Sequence, residues 1–413
     1  MTIAIVADRL IDGTGRDPVE AAVLVIDGGR IAAVGPRADV GVPDGAEIIE
    51  GDDFTVLPGF IDCHVHLAVQ SGVDFNRLLM TRRSMLLLMA VPNAAVTLQA
   101  GVTAVRDAGL SPASVRDAID AGYFPGPRCD MAVSILSQSG GHGDPTMPCG
   151  CELYMDCGMD VPDSVVDGAD MMRRRVREVL AAGADWIKLC TSGGVLSPSD
   201  HPDAAQFTIA EIAVAVEEAA AQGKRVMSHA MSAAGIKNAL RAGVTSIEHG
   251  CLLDEEAIAL MKERDAWLVP TLVAPRDVVA AASEGRTIPE PMVDKARNIS
   301  TRHMESFRAA VDAGVNIAMG TDSAVGPHGG NLRELALMVE GGMSPLAAIT
   351  ASTQASARLL HRDSEIGTLE PGKRADLVVV RGDPLARIGL LAAPDRVALV
   401  LKGGVRVKDL VEG

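Results

Sequence analysis

The sequence predicts an α/β protein, a closed (β/α)8 barrel of the TIM type joined to a small β-sandwich built from both ends of the chain. Three observations lead there. The chain has 413 residues, too many for one ordinary compact domain. Its two ends read as short strands separated by turns, whereas its middle alternates strands with helices. Within the middle, Ala100-Gly101-Val102, Ala182-Gly183-Ala184, Ala242-Gly243-Val244 and Ala313-Gly314-Val315 each close a helical stretch and lead at once into an apolar strand. Glycine is the expected residue after a helix C-terminus, so this is a weak internal repeat of one β-α unit. The division that follows is a β-sandwich of residues 1–57 plus 362–413 flanking a barrel of residues 58–361.

The N-terminal strands come first. Ala22-Val23-Leu24-Val25-Ile26 runs to the turn Asp27-Gly28-Gly29-Arg30, and Ile31-Ala32-Ala33-Val34 follows to Gly35-Pro36. Asp-Gly between apolar runs is a hairpin signal. Barrel strands are expected at the run ending in His66, then at 103–106, 130–135, 186–189, 225–228, 246–249, 266–269 and 316–319. The clearest helix spans Thr208 to Ala221, with a Thr208/Glu211 capping box and Ile209, Ile212 and Val216 on one face. Eight such units imply a closed parallel barrel. An open doubly wound sheet is the alternative, but no G-x-G-x-x-G follows any strand. Past residue 361, Ala375–Val380 and Val397–Lys402 return to strand texture, with Gly403-Gly404 as a turn.

Composition narrows the partners. The chain is 48% hydrophobic and 2% aromatic, with a net charge of −16. Aromatic stacking platforms and a basic surface are both missing, which argues against nucleic acid. No stretch approaches the ~18 apolar residues of a membrane span, so no membrane partner is expected. The opening residues Met1 to Asp8 lack a basic segment followed by a cleavable apolar one, so the expected location is cytoplasmic. Seven cysteines fit reduced thiols. Cys149, Cys151 and Cys157 lack the paired C-x2-C spacing of a structural zinc site. The expected partner is a small-molecule substrate, and a barrel of this size is expected to pack as a homo-oligomer.

The chemistry starts at Phe60-Ile61-Asp62-Cys63-His64-Val65-His66, just after Pro58-Gly59. Residues two apart on a strand share a face, so His64 and His66 form half of a metal site. Hydrogen-bonded strand histidines are the plain alternative. Downstream strand ends decide between them: strand four gives Lys188, strand five His229, strand six His249 and strand eight Asp322. Barrels keep their active sites at these ends, and imidazole with carboxylate suits Zn²⁺. Lys188 is the odd member, because an ammonium has no lone pair for a cation. Desolvated, it can take up CO₂ and bridge two metals as a carbamate; the alternative is an ion pair with Asp185.

The set Pro58 to His66, Lys188, Ser228-His229-Ala230, Glu248-His249-Gly250 and Gly320-Thr321-Asp322-Ser323 resembles the amidohydrolase superfamily. The closing run Ile366-Gly367-Thr368-Leu369-Glu370-Pro371-Gly372-Lys373-Arg374-Ala375-Asp376-Leu377 resembles that superfamily's return to its small β-domain. The resemblance covers essentially the whole chain. It implies two divalent metal ions, Zn²⁺ by donor preference. His64, His66 and Asp322 would hold the more buried one, His229 and His249 the other, with carboxylated Lys188 between them. It implies hydrolysis of a C–N amide bond by a metal-activated hydroxide, with Asp322 as proton shuttle.

His142 lies in Ser139-Gly140-Gly141-His142-Gly143-Asp144, past strand three, where a glycine-flanked ring can reach a substrate carbonyl. That run resembles the prolidase-like and imidazolonepropionase-like branch, which implies a dipeptide or N-acyl amino acid substrate, with Xaa-Pro dipeptides included. In that branch a Tyr that helps hold the substrate carboxylate often follows the strand-five histidine by two; here the residue is Met231. Either Arg106 or another cation then holds the carboxylate, or the substrate is an amide, carbamate or cyclic amide without one. A mononuclear deaminase with a structural Lys188, and a metal-free barrel that only binds, are the other readings. Asp107 reads as support behind the ligands and His328 as a pocket residue. His303 reads as structural, His201 and His361 as surface, and the loops 137–165, 192–207 and 272–300 as the seat of selectivity.

Overall fold

Strand Phe60–Val65 is buried at every position and starts a parallel ladder with Val102–Asp107 and Arg128–Met131 in the computed structural model, which describes residues 2–411. A second parallel ladder runs Ile135–Leu136, Trp186–Cys190, Arg225–Ala230, Ser246–His249, Trp267–Val269 and Asn316–Ile317. The two ladders join at both edges. The Asp185 amide donates to the Met131 carbonyl at 2.6 Å, and the Cys63 amide donates to that of Met319 at 2.8 Å. The ring is therefore closed, as a barrel requires.

Strand three departs from expectation. A continuous strand over 130–135 is interrupted by Val133, whose φ of 64° lies in the left-handed region. The Val133 carbonyl turns away from the ladder to accept from the Leu110 amide at 2.8 Å. A β-branched residue is costly there and persists only where its surroundings impose it. The break sits at the rim, just before the run that carries His142.

The helices pack outside the ring. Ile209–Ala221 starts at the Thr208/Glu211 capping box, but its buried stripe is Ile212, Ala215 and Ala219, and Ile209 is exposed. Residues 272–300, expected as a loop, are mostly helix: Val273–Ser283 and Glu290–Ala313. Both chain ends enter one eight-stranded sheet, in which Phe54–Pro58 lies between Ile3–Leu10 and Leu377–Arg381. That sheet has its own apolar cluster, with Ile5, Leu24, Phe54, Val56 and Leu399 at its centre. Arg128 ties it to the barrel through paired bonds to Asp376 at 2.8 and 3.0 Å. Among the described residues no helix is long and apolar enough to cross a membrane. All seven cysteines are free thiols.

Glu334 caps helix Val273–Ser283, accepting from the Leu272 and Val273 amides at 2.7 and 2.8 Å. Burial pushes its carboxyl up to about 8. The folded state therefore holds a proton that the unfolded chain has released, so stability falls as pH rises from the unfolded value toward about 8. Asp62 and Asp107, raised to about 6, act in the same direction but finish at lower pH. Between about pH 6.5 and 8 the wild type should lose on the order of 1–2 kcal/mol more than Glu334→Gln, read by urea unfolding. Equal slopes would rule Glu334 out as the source.

Candidate metal centre

The rim at the strand C-termini gathers four imidazoles and a carboxylate. His64 lies in the first strand, His66 just beyond it, and His229 and His249 at the ends of Arg225–Ala230 and Ser246–His249. Ring centroids are 5.4 Å apart for His64–His66, 5.1 Å for His64–His249 and 4.5 Å for His229–His249. Asp322 Oδ1 lies 3.1 Å from His66 Nε2 and 3.5 Å from His64 Nε2. His64, His249 and Asp322 offer donor atoms all within 4.8 Å of one another.

Each ring spends one nitrogen on an outer partner and turns the other toward the cluster, where that of His66 meets Asp322. His64 Nδ1 bonds Glu248 at 2.7 Å, His66 Nδ1 the Gly109 carbonyl at 2.9 Å, His229 Nε2 the Gly193 carbonyl at 3.1 Å, and His249 Nδ1 the Thr271 hydroxyl at 2.7 Å. Carbonyls only accept, so His229 donates there and its other nitrogen carries a lone pair; His66 donates to Gly109 as well, and although burial alone would lower its imidazole, the bond of its Nε2 to Asp322 raises it. This outer partnering is what orients metal-binding imidazoles. Burial holds His64, His229 and His249 well below the usual imidazole range, so they are neutral. Burial alone would raise the Asp322 carboxyl, but the neighbouring His64 ring, the bond to His66 and the charge of Lys188 hold it below the usual range. The donor set therefore fits divalent cations.

The backbone is bent to make this cluster. His249, Thr271 and Asp322 have φ of 72°, 54° and 60°, in the left-handed region. The turn at His249 explains how Glu248 and His249, neighbours on one strand, both meet His64. Gly320 is required beside them, since a Cβ there would sit 2.9 Å from the His64 Cβ and 2.3 Å from Val269. Asp62 fastens the two sides: it accepts from the His64 amide at 3.0 Å, the Thr321 hydroxyl at 2.6 Å and Asn331 at 2.7 Å. Asp107 accepts from the Leu67 and Gly109 amides at 2.7 and 3.0 Å, which steadies the carbonyl that holds His66.

Lys188 is buried on Trp186–Cys190, and burial lowers its ammonium. Asp185 is already engaged by Arg116 at 2.7 Å and Lys224 at 3.1 Å, so it is not the partner of Lys188; the carboxylates whose charge acts on that lysine are Glu248 and Asp322.

Two placements correct the sequence reading. Arg106 is not in the pocket: it is fully buried, donates to the Cys63 carbonyl at 2.8 Å and to Glu248 at 2.9 Å, and covers the Trp186 ring at 4.6 Å. It cannot reach a substrate carboxylate. His328 is buried behind His66 and does not line the cavity above the rim. The cation on that cavity's wall is Arg83, paired with Asp156 and lying 4.0 Å over the Tyr154 ring. Met231 and His303 line a smaller cavity with His142, His229 and His249. His303 is buried, 2.9 Å from the His249 carbonyl, whereas His201 and His361 are exposed. The main cavity, about 340 Å³, is floored by His66, His142 and Asp322 and walled by apolar groups such as Val73, Phe75, Leu110 and Leu153.

Comparison with known proteins fits this geometry. The model of the amidohydrolase family matches residues 55–407. The chain belongs to that family. Ochratoxinase of Aspergillus niger is 34% identical over 97% of this chain and 85% of its own length. A crystal structure of a Xaa-Pro dipeptidase with bound methionine superposes with a TM-score of 0.89 at 35% identity, covering 98% of this chain and 99% of that one. A prolidase complexed with N-methylphosphonate-L-proline superposes equally well at 34% identity, covering 99% and 100%. As an amidohydrolase the protein is a hydrolase of C–N bonds acting on small molecules, from a family that is typically metal-dependent.

The sequence reading missed Glu248, although it stood in the quoted Glu248-His249-Gly250 run; strand alternation placed it away from its neighbour. It also missed Ser197, Asp200 and Lys295. The contacts that give them meaning are long-range: Ser197 reaches His142 across 55 residues, and Lys295 reaches the 194–200 loop across 95 to 101.

Proposed function

We propose that this amidohydrolase cleaves a carbon–nitrogen amide bond with two divalent cations, Zn²⁺ by donor preference, held by His64, His66, Asp322, His229, His249 and a carboxylated Lys188. The observation that carries the reading is the set of four imidazoles, each with one nitrogen spent on an outer partner, around a buried lysine that Asp185 does not pair with. When bound, such cations supply a hydroxide near neutral pH and polarise a carbonyl. Asp322 takes up a proton and returns it to the leaving nitrogen. His142, stacked on His229, lines the cavity it shares with Asp322 and meets the substrate there. The sheet from both termini acts as an accessory domain of residues 1–57 plus 362–413. The exposed Leu79, Met80, Met85 and Leu88 support a homo-oligomer.

The cavity favours a bulky apolar acyl group, with the names of the ochratoxinase and Xaa-Pro dipeptidase relatives pointing to N-acyl amino acids or dipeptides. A second reading rests on Met231: it packs with Val195, Cys251 and Val278, an apolar patch beside His229 where no carboxylate would be welcome. That favours an amide or carbamate without one. A turnover panel of N-acyl amino acids, dipeptides and matched amides lacking the carboxylate separates the two, with zinc and bicarbonate present and released amine as readout. Carboxylate-dependent turnover is expected under the first reading, with Arg83→Ala raising KM for those substrates by about tenfold. Turnover of the carboxylate-free amides, unchanged by Arg83→Ala, would establish the second. Silence across the panel would overturn both.

A further inference from the structure

We propose that Asp200, acting through Ser197, is a positioning residue that fixes the ring of His142 with its proton on Nδ1 and its Nε2 toward the substrate. The proposal rests on the reading of His142 as a residue that meets the substrate; fixed this way, its Nε2 presents a lone pair that accepts from a substrate N–H or takes up a proton.

The contacts leave little choice. His142 Nδ1 lies 2.8 Å from the Ser197 hydroxyl, and that hydroxyl donates to Asp200 Oδ1. The side chain of Asp200 is 4% exposed and accepts from three more donors: the Gly194 amide at 3.0 Å, Gln206 at 3.3 Å and the Lys295 ammonium at 3.2 Å. A carboxylate so surrounded by donors is an acceptor only. The single hydrogen of Ser197 is therefore committed to Asp200, and its oxygen can only accept from His142. The Nδ1 proton and the ring orientation follow together.

The loop is built to keep this arrangement. Lys295, from helix Glu290–Ala313, donates to the carbonyls of Gly194, Ser197 and Asp200 at 3.2, 2.8 and 2.7 Å. The segment 194–200 thus closes around one ammonium. Gly194 makes room for the ring, because a Cβ there would lie 2.3 Å from His142 Cε1. The preceding Gly193 carbonyl holds His229, on which His142 stacks at 4.1 Å. One loop therefore orients two stacked rings beside the candidate metal centre.

Ser197→Ala is the sharp test, since it removes the bridge and leaves the Lys295–Asp200 pair. It should lower kcat by about tenfold with KM within about twofold and metal content unchanged. Asp200→Asn should do at least as much, and Ser197→Thr should restore the rate to within about threefold. In a His142→Ala background, Ser197→Ala should cost less than about twofold, because the effect passes through the missing ring. ¹⁵N NMR of histidine-labelled holoenzyme should show His142 protonated at Nδ1 in the wild type and as a tautomer mixture in Ser197→Ala. A ring protonated at Nε2, or an equal Ser197→Ala penalty with and without His142, would overturn the relay. If His142→Ala retains full turnover, the substrate role of His142 falls, and the NMR signature still decides whether Asp200 sets the ring.

Discussion

Asp322→Asn should lower kcat by about a thousandfold or more, with KM little changed and most bound metal retained. The substitution keeps size and shape. It removes the capacity to take a proton and hand it on, and that transfer contributes roughly 10²–10⁴-fold. The carboxylate is ionised in the folded protein, since the rings of His64 and His66 beside it and the charge of Lys188 outweigh the cost of burying it. It can therefore accept a proton at the start of the cycle, which an amide cannot. Metal should largely stay because the amide oxygen still faces His64 and His66, whose rings remain held by Glu248 and Gly109. Steady-state kinetics with metal analysis on the same sample separates the two effects. A variant within tenfold of the wild-type rate would remove Asp322 from proton transfer. One that lost its metal along with its rate would make the residue a ligand first.

How far the sequence reached can be judged from particular residues. His64, His66, Lys188, His229, His249 and Asp322 were legible because each stands at a strand end, and strand ends follow from local pattern. Their convergence required only the barrel. The loops were less legible. Residues 272–300 carry Ala and Val in a stretch broken by Pro275, Gly285 and Pro289, and helix Val273–Ser283 tolerates Pro275 in its first turn. Val133 gave no warning of a left-handed turn, because tertiary contact imposes it. Arg106 misled for a related reason. It does end a strand on the catalytic side, but whether a rim cation faces the pocket or the barrel interior depends on a partner 142 residues away.

That partnership carries the second large effect. Arg106→Leu should destabilise the protein by about 3–5 kcal/mol, read by urea unfolding of the metal-free form, because it leaves Glu248 buried with a charge and no cation. Arg106 and Glu248 are both fully buried, and the remaining partners of Glu248 are the Ser246 hydroxyl at 2.6 Å and His64 Nδ1. Neither is a cation, since burial keeps His64 neutral. The stranded carboxyl would tend to take a proton, and a protonated Glu248 could no longer hold His64 as firmly, so metal affinity should fall by about 10–100-fold. Replacing both, as Arg106→Leu with Glu248→Gln, should recover at least half of the lost stability, since the amide oxygen still accepts from His64 and no charge is left behind. A stable Arg106→Leu whose only defect is a raised KM for carboxylate substrates would contradict this and return Arg106 to the pocket. The buried pair thus connects stability to the metal centre: the cation neutralises the carboxylate, the carboxylate orients His64, and His64 with Asp322 sets where the metal sits.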